Sequence, residues 1–175
     1  MKGFFSAKKL CRSGIIAALY VALTYAFMPF AYGPLQVRPA EALCLLPLFF
    51  GEAVPALYIG CMLANLFGGY GVADIFIGSA ITLVAAICTF FIGKAFRHPA
   101  AKISLGGIFP VLLNAIFLPF LFIFLSTSGE EPSVILYFIY FGELLLTQSV
   151  WIYALGTPMY LSLDKMRKKG YSPLL

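Results

Sequence analysis

The sequence predicts an all-α integral membrane protein with six transmembrane helices and both termini in the cytoplasm. Its 175 residues are 62% hydrophobic and 11% charged, whereas soluble domains have roughly 45–50% apolar and about 25% charged residues. Short basic loops stay in the cytoplasm, so the placement of Lys and Arg gives orientation. Eleven of the twelve Lys and Arg residues form three clusters beside apolar stretches: Lys2, Lys8, Lys9 and Arg12; Lys94, Arg97 and Lys102; Lys165, Arg167, Lys168 and Lys169.

Six apolar segments are predicted in chain order, as one transmembrane domain over residues 1–175. They cover residues 13–31, 39–51, 54–68, 73–94, 103–126 and 134–162. A span normally needs roughly 17–25 apolar residues. The first segment follows a basic N-terminus, as a secretory signal does, but a signal's apolar core has about 7–15 residues and ends in a small-residue cleavage site. The first segment is longer and ends around Met28, Pro29 and Phe30, so we interpret it as a span.

The stretch 39–68 allows two interpretations, one kinked span or two short ones. With one span, the middle and C-terminal basic clusters would both lie outside, which places seven of the twelve basic residues in the wrong compartment. Two short spans that turn at residues 51–53 restore the positive-inside pattern. Because each is shorter than a normal span, we expect both to be partly buried in protein.

Several function classes are not favoured. The net charge of +5 is divided among three segments that border apolar spans, which indicates contact with anionic lipid rather than nucleic acid. The four cysteines form no CxxC pair, so no metal site or disulfide framework is predicted. The one histidine, His98, lies in a basic loop, and residues 93–95 lack the flanking pattern of a phosphate-binding P-loop. We therefore expect no enzyme, no ATP hydrolysis by this chain and no cofactor.

Glu143 is the sharpest candidate for ligand contact. It lies about nine residues into the last span, roughly 14 Å below its outer end. An ionisable group there costs about 2.5–3.5 kcal/mol on insertion scales and normally faces a cavity or a partner. Tyr140 and Thr147 share its helix face. The alternative is a structural carboxylate, protonated or hydrogen-bonded between helices.

Other polar residues cluster towards the outer side. Gln36, Arg38 and Glu41 surround Pro39, and the simplest alternative to ligand contact is a helix start with a local Arg38–Glu41 ion pair. Asp74 begins the fourth span, where helix capping is the alternative.

Two asparagines and a row of small residues complete the candidates. Asn65 is a ligand candidate beside a glycine-rich loop, whereas Asn114 suits an interhelical hydrogen bond. Small residues recur every four positions along the first span, which predicts a docking face for another membrane protein or close packing within the chain. These residues are Gly14, Ala18, Ala22 and Ala26.

The chain resembles the QueT family, the queuosine-precursor substrate-binding (S) components of energy-coupling factor transporters. The resemblance is carried by residues 30–43 (FAYGPLQVRPAEAL), 59–69 (IGCMLANLFGG), 74–79 (DIFIGS), 142–143 (GE) and 155–158 (LGTP). It is looser over 117–124. It implies a six-helix protein of the bacterial plasma membrane that captures a small molecule near the outer surface. Its partners would be a transmembrane coupling (T) subunit, docked at an AxxxA element matched by Ala18 and Ala22, and two cytosolic ATPases.

The resemblance also implies a 7-deazaguanine ligand: 7-cyano-7-deazaguanine, its aminomethyl analogue or queuine. We expect Glu143 to accept the adjacent N–H groups of its guanine-like edge. Stacking rings are expected from Tyr140, Tyr70 and Tyr32, and amide contacts from Asn65 or Gln36. Arg38 is a further expected contact. A second carboxylate, Glu41 or Asp74, is expected to bind an aminomethyl cation. Two alternatives stay open: an S component for biotin, thiamine or riboflavin, and a membrane scaffold without a small ligand.

Overall fold

The computed structural model describes residues 6–32, 36–68, 71–125 and 133–170. All regular secondary structure in those residues is helical. The elements are α1 (Ala7–Ala26), α2 (Met28–Ala31), a 3₁₀ segment (Pro39–Leu48), α3 (Ala53–Leu66), a π turn (Asp74–Gly78) leading into α4 (Ser79–Ala95), α5 (Pro99–Phe120) continued by a π turn (Leu121–Leu125), α6 (Val134–Ser149), a third π turn (Val150–Leu155) and α7 (Gly156–Lys168). The all-α class is confirmed for the described residues.

Three continuous helices are long and apolar enough to cross a membrane, judged by length and composition: Asp74–Ala95, Pro99–Phe124 and Val134–Lys168. Two shorter apolar helices, Pro39–Leu48 and Ala53–Leu66, occupy the stretch that the sequence left ambiguous. Residues 49–52 separate these two helices, so the stretch 39–68 contains two helical segments. The count of six spans and the placement of the termini stay predictions.

The 3₁₀ segment lies at the centre of the helix packing. All ten of its residues are buried, and it packs against α1, α4, α5 and the π turn Val150–Leu155. Pro39 occupies its first turn, and Pro47 lies inside it. Proline there has no N–H and its ring would clash with the carbonyl four residues earlier in an α-helix. Ten residues at a 3₁₀ rise of about 2.0 Å extend about 20 Å, against about 15 Å for an α-helix.

The turn after the 3₁₀ segment is fixed to α1. Arg12 Nη1 lies 2.8 Å from Glu52 Oε1 in an ion pair, and Ser13 Oγ donates to the Glu52 carbonyl at 3.0 Å. The Arg12 guanidinium also lies over the Phe50 ring, 4.3 Å from its centroid. These contacts are at the end of the bundle that the basic clusters assign to the cytoplasm.

Close helix approach depends on glycine at two positions. At Gly60 of α3, a Cβ atom would lie 3.0 Å from Tyr20 Cβ and 3.1 Å from the Ala17 carbonyl oxygen of α1. At Gly93 of α4, a Cβ atom would lie 2.8 Å from the carbonyl oxygen of Leu48 and 2.9 Å from its Cα. Both sites lack room for a side chain because the obstacle at each includes backbone.

We predict that Gly93→Ala destabilises the protein by about 1–3 kcal/mol, the usual cost of overpacking a core. The added methyl group would push α4 away from the end of the 3₁₀ segment. Gly14→Ala is the matched control, since nothing lies within 4 Å of a Cβ atom there and alanine favours a helix. Thermal unfolding in detergent measures both, and equal melting temperatures would contradict the packing argument.

Candidate functional site

Glu41 is the centre of a buried hydrogen-bond network that we call the Glu41 tie (Tyr20, Glu41, Cys44, Asn114 and Gln148). The Tyr20 hydroxyl donates to Glu41 Oε1 at 2.7 Å. Cys44 Sγ donates to Oε2 at 3.3 Å, and Asn114 Nδ2 lies 3.4 Å from both Oε2 and Gln148 Oε1. The tie therefore joins α1, the 3₁₀ segment, α5 and α6.

The local Arg38–Glu41 ion pair, the alternative to ligand contact, is not formed among the described residues. Arg38 precedes the 3₁₀ segment in an extended conformation, with φ −115° and ψ 92°, and its guanidinium donates to Ala31 and Asn65 instead. Both Glu41 oxygens are instead occupied by the tie. The prediction that a helix begins at Pro39, with Glu41 in its first turn, is confirmed. Asn114 makes the interhelical bonds expected of it.

Arg38 belongs to a second network, which we call the Arg38 group (Arg38, Asn65 and Asp74). Its Nε donates to the Ala31 carbonyl at 2.9 Å, and its Nη1 donates to Asn65 Oδ1 at 3.1 Å. Asn65 Nδ2 in turn donates to the Asp74 carbonyl at 3.1 Å. These hydrogen bonds thus join Arg38 to Asn65 of α3 and to Asp74 at the start of the fourth apolar helix.

Asp74 does not cap a helix, so the capping alternative is wrong. Helical structure already includes Val72 and Ala73, and Asp74 is only 1% exposed. Neither carboxylate oxygen has a hydrogen-bond partner among the described residues. A Cβ atom on Gly78 would lie 2.8 Å from Asp74 Oδ1 and 3.1 Å from Asn65 Nδ2, so Gly78 makes room for this carboxylate beside Asn65.

The loop that precedes Arg38 adds a strained residue. Gln36 has a φ of 38°, an uncommon conformation for a residue other than glycine. Its side chain is buried, and neither amide atom finds a partner within the described part of the chain. Arg38 Nη2 is also buried and has no hydrogen-bond partner in the described part of the chain. Strain and unsatisfied polar atoms are both typical of binding sites.

Glu143 lies on α6, on a different helix from the Arg38 group. It is half-buried, and its Oε2 is buried without a hydrogen-bond partner in the described residues. Tyr140 is buried one turn earlier. The Thr147 hydroxyl bonds back to the Glu143 carbonyl at 3.0 Å, which satisfies that hydroxyl within its own helix.

Several predicted contacts fall elsewhere. Tyr70 lies outside the described residues. Tyr32 packs below Arg38, with the guanidinium 5.0 Å from its ring centroid, and its hydroxyl donates to the Ala64 carbonyl. Ala18 and Ala22 are exposed on α1 together with Gly14 and Ala26. Close packing of this row within the chain is therefore excluded for the described residues.

Sequence reasoning missed the rest of the two networks. Gln148 is a polar residue inside an apolar span, the same signal that identified Asn114. Tyr20 gave no signal, because a tyrosine in an apolar segment is equally compatible with a plain core position. Cys44 and Cys61 are both buried. Cys61 Sγ also accepts from Thr82 Oγ1 at 3.4 Å.

Comparison with known proteins decides the family. The family model described as QueT transporter matches residues 10–165. The chain belongs to the QueT transporter family. A relative named "Queuosine precursor transporter QueT" from Lactococcus lactis subsp. cremoris (strain MG1363) is 39% identical over 72 residues. That match covers 40% of this chain and 42% of the relative, less than half of either. No solved structure matches.

Membership of the QueT family explains the main features of the chain. The family is described as one of transporters, and the long apolar helices of this chain fit a membrane protein. A transporter family implies a role that is not enzymatic, in agreement with the sequence.

We predict that Tyr20→Phe destabilises this QueT family member by about 1.5–3 kcal/mol, the usual contribution of a hydrogen bond to a charged group. The change removes the short bond to Glu41 Oε1 and leaves the ring in place. Tyr58→Phe is the matched control, since no hydrogen bond of the Tyr58 hydroxyl is found within the described chain. Thermal unfolding in detergent compares them. Equal shifts would mean that Glu41 does not depend on the Tyr20 hydroxyl.

Proposed function

We propose that the chain is the substrate-capture (S) component of an energy-coupling factor transporter that imports a queuosine precursor. The supporting observation is the set of buried polar atoms on Gln36, Arg38, Asp74 and Glu143 that have no partner among the described residues. Each such atom costs about 1–3 kcal/mol when left unsatisfied. A ligand that supplies the missing hydrogen bonds would recover this free energy.

A 7-deazaguanine suits these atoms. Its guanine-like edge presents an N–H, an exocyclic amine and a carbonyl in one plane, and a carboxylate accepts the two donors together. Asp74 and Glu143 retain buried oxygens without partners in the described chain, whereas both Glu41 oxygens are occupied by the tie. We therefore assign Glu41 to structure and keep Asp74 and Glu143 as ligand contacts.

The remaining predicted contacts have supporting roles in the proposal. The aromatic candidates, Tyr140 and Tyr70, offer rings on which a flat heterocycle stacks. The amide of Gln36 offers one donor and one acceptor, and Asn65 holds Arg38 in place through its Oδ1. Small-molecule sites commonly combine such apolar walls with a few placed polar groups.

The proposal includes the topology and the partners. Six spans with cytoplasmic termini, in one domain over residues 1–175, place the Arg38 group towards the outer surface and the Arg12–Glu52 ion pair towards the cytoplasm. The exposed Ala18 and Ala22 offer a flat surface on which a helix of the coupling (T) subunit docks. Two cytosolic ATPases supply the energy, and tilting of the whole subunit turns the site inwards.

We predict that the purified chain alone, in detergent, binds a 7-deazaguanine with one-to-one stoichiometry in a calorimetric titration. The probes are 7-cyano-7-deazaguanine, its aminomethyl analogue and queuine. Binding is expected without the other subunits because every proposed contact lies on this chain.

Biotin, thiamine and riboflavin are the controls for that titration. Binding of one of these vitamins would keep the S-component function and reject the ligand. Lack of binding by all six compounds, in protein with a cooperative thermal transition, would reject the capture function and favour a membrane scaffold.

We predict that Ala18→Leu and Ala22→Leu reduce ligand uptake by about tenfold or more while leaving ligand affinity unchanged, because larger side chains prevent close helix approach. Uptake is measured in vesicles that contain the coupling subunit and both ATPases, and affinity by calorimetry on the isolated chain.

The matched control for the docking surface is Ala80→Leu, at an exposed alanine of α4. It makes the same change in size on another face of the bundle and should leave uptake within about twofold of the wild type, since isolated surface substitutions usually have small effects. Equal losses at Ala18 and Ala80 would contradict the assignment of α1 as the docking face.

A further inference from the structure

We infer that an anionic phospholipid binds in a groove between α1 and α3, at the end of the bundle that the basic clusters assign to the cytoplasm. One acyl chain occupies the groove, and the phosphate of the head group lies against Lys9 and Lys94. This site is separate from the Arg38 group, which lies at the other end of the 3₁₀ segment. The inference takes from the proposed function only the orientation of the chain in the membrane.

The groove is a cavity of about 460 Å³ with an almost wholly apolar lining. Its walls extend from Lys9 to Ala17 on α1 and from Glu52 to Ile59 on α3, which is about 12 Å and about 10 Å along the two helices. Beyond Ala17 the helices touch, since a Cβ atom on Gly60 would lie 3.1 Å from the Ala17 carbonyl oxygen. The groove is therefore closed at its deep end, a shape that suits an acyl chain entering from the head-group region.

The side chains of the protein leave this groove open. Nothing lies within 4 Å of a Cβ atom at Gly14, and Leu10 and Ile59 at its edges are 65% and 44% exposed. Apolar walls without neighbouring atoms lose their dispersion contacts, and an acyl chain restores them. A helix about 10–12 Å in diameter would need roughly twice the volume of the groove over the same length. We therefore assign the groove to a lipid chain and not to a partner helix.

A second cavity, of about 230 Å³, adjoins the groove and suits the head group. It is lined by Lys9, Gly51, Glu52 and Phe90, so the two cavities share Lys9 and Glu52. Lys94 Nζ lies 4.3 Å from the centroid of the Phe90 ring, which places a second ammonium group at this cavity. A phosphate held here can contact Lys9 and Lys94 while the acyl chain lies in the groove.

The charge at the second cavity is positive overall. Glu52 is the carboxylate among its lining residues, and Arg12 neutralises it through the 2.8 Å ion pair. Lys9 and Lys94 form no ion pair within the described residues, so no carboxylate offsets their charges there. A phosphodiester supplies the opposite charge, and basic residues at the cytoplasmic surface attract anionic lipids.

The test is native mass spectrometry of the full chain in detergent, titrated with dioleoyl phosphatidylglycerol or dioleoyl phosphatidylcholine. The two lipids share their acyl chains and differ in head-group charge. We expect one bound phosphatidylglycerol per chain, with an affinity about tenfold or more above that for phosphatidylcholine. Glycerol phosphate, which carries the anionic group without acyl chains, should not displace the lipid.

Two variants test the two parts of the site. Lys9→Gln combined with Lys94→Gln should lower the affinity for phosphatidylglycerol by about tenfold and leave that for phosphatidylcholine within about twofold. Gly14→Leu should lower both affinities by about tenfold or more, because the added side chain occupies the apolar groove. Both variants should fold, since the two lysines are exposed and Gly14 has room for a side chain. Thermal unfolding checks this.

Matched controls make the same chemical changes elsewhere. Lys165→Gln combined with Lys169→Gln removes the same charge from the C-terminal cluster. Ala80→Leu adds a leucine side chain on an exposed face of α4. Both controls should leave phosphatidylglycerol affinity within about twofold of the wild type, as is usual for surface substitutions.

Four results would overturn the inference. Equal losses from the two lysine pairs would mean that lipid binding follows net charge and not this site. Unchanged lipid binding by Gly14→Leu would remove the acyl chain from the groove, and if that variant also failed to assemble with the coupling subunit, the groove would be a protein-docking surface. Displacement by glycerol phosphate would indicate a site for a free anion. Equal affinity for the two lipids would refute the head-group contact. None of these results changes the calorimetric titration of the proposed ligand, so the lipid site and the capture function fail independently.

Discussion

The structure depends on satisfying one carboxylate, Glu41, in the middle of the helix bundle. A charge removed from water must receive its hydrogen bonds from the protein, or it destabilises the fold by several kcal/mol. Glu41 is 2% exposed and receives them from Tyr20, Cys44 and Asn114. These donors reach Glu41 only if α1 and α5 lie against the 3₁₀ segment, so a single buried group fixes the relative position of these elements.

The 3₁₀ segment in turn connects the two ends of the molecule. It begins beside Arg38, in the network that we propose binds the ligand, and it is followed by the turn in which Glu52 pairs with Arg12. Backbone that is not α-helical is tolerated at membrane depth where protein surrounds it, and every residue of this segment is buried. The Glu41 tie stabilises this segment, while the neighbouring Arg38 group keeps polar atoms unpaired within the described chain.

The sequence predicted the class of fold better than the contacts of individual polar side chains. Hydrophobicity and the basic clusters reflect whether a segment lies in lipid or in water. They therefore identified the apolar helices and the division of residues 39–68 into two segments. Local rules failed at Arg38 and Asp74, because the nearest sequence neighbour is not the nearest partner in space. Arg38 reaches Asn65, 27 residues away, and Asp74 points inward beside Gly78. Tyr20 could not be identified because its role appears only once α1 packs against the 3₁₀ segment.

Unsatisfied polar atoms link the stability of the empty protein to its affinity for a ligand. Five side chains retain buried atoms without partners in the described residues: Gln36, Arg38, Asp74, Glu143 and Gln148. In the proposed function, the empty protein carries their cost and a bound ligand removes it, so binding energy arises from atoms that already occupy their final positions. A molecule that binds only the folded state stabilises it by RT ln(1 + [L]/Kd). Because the Glu41 tie holds the helices together without ligand, the proposed site keeps its shape when no ligand is bound.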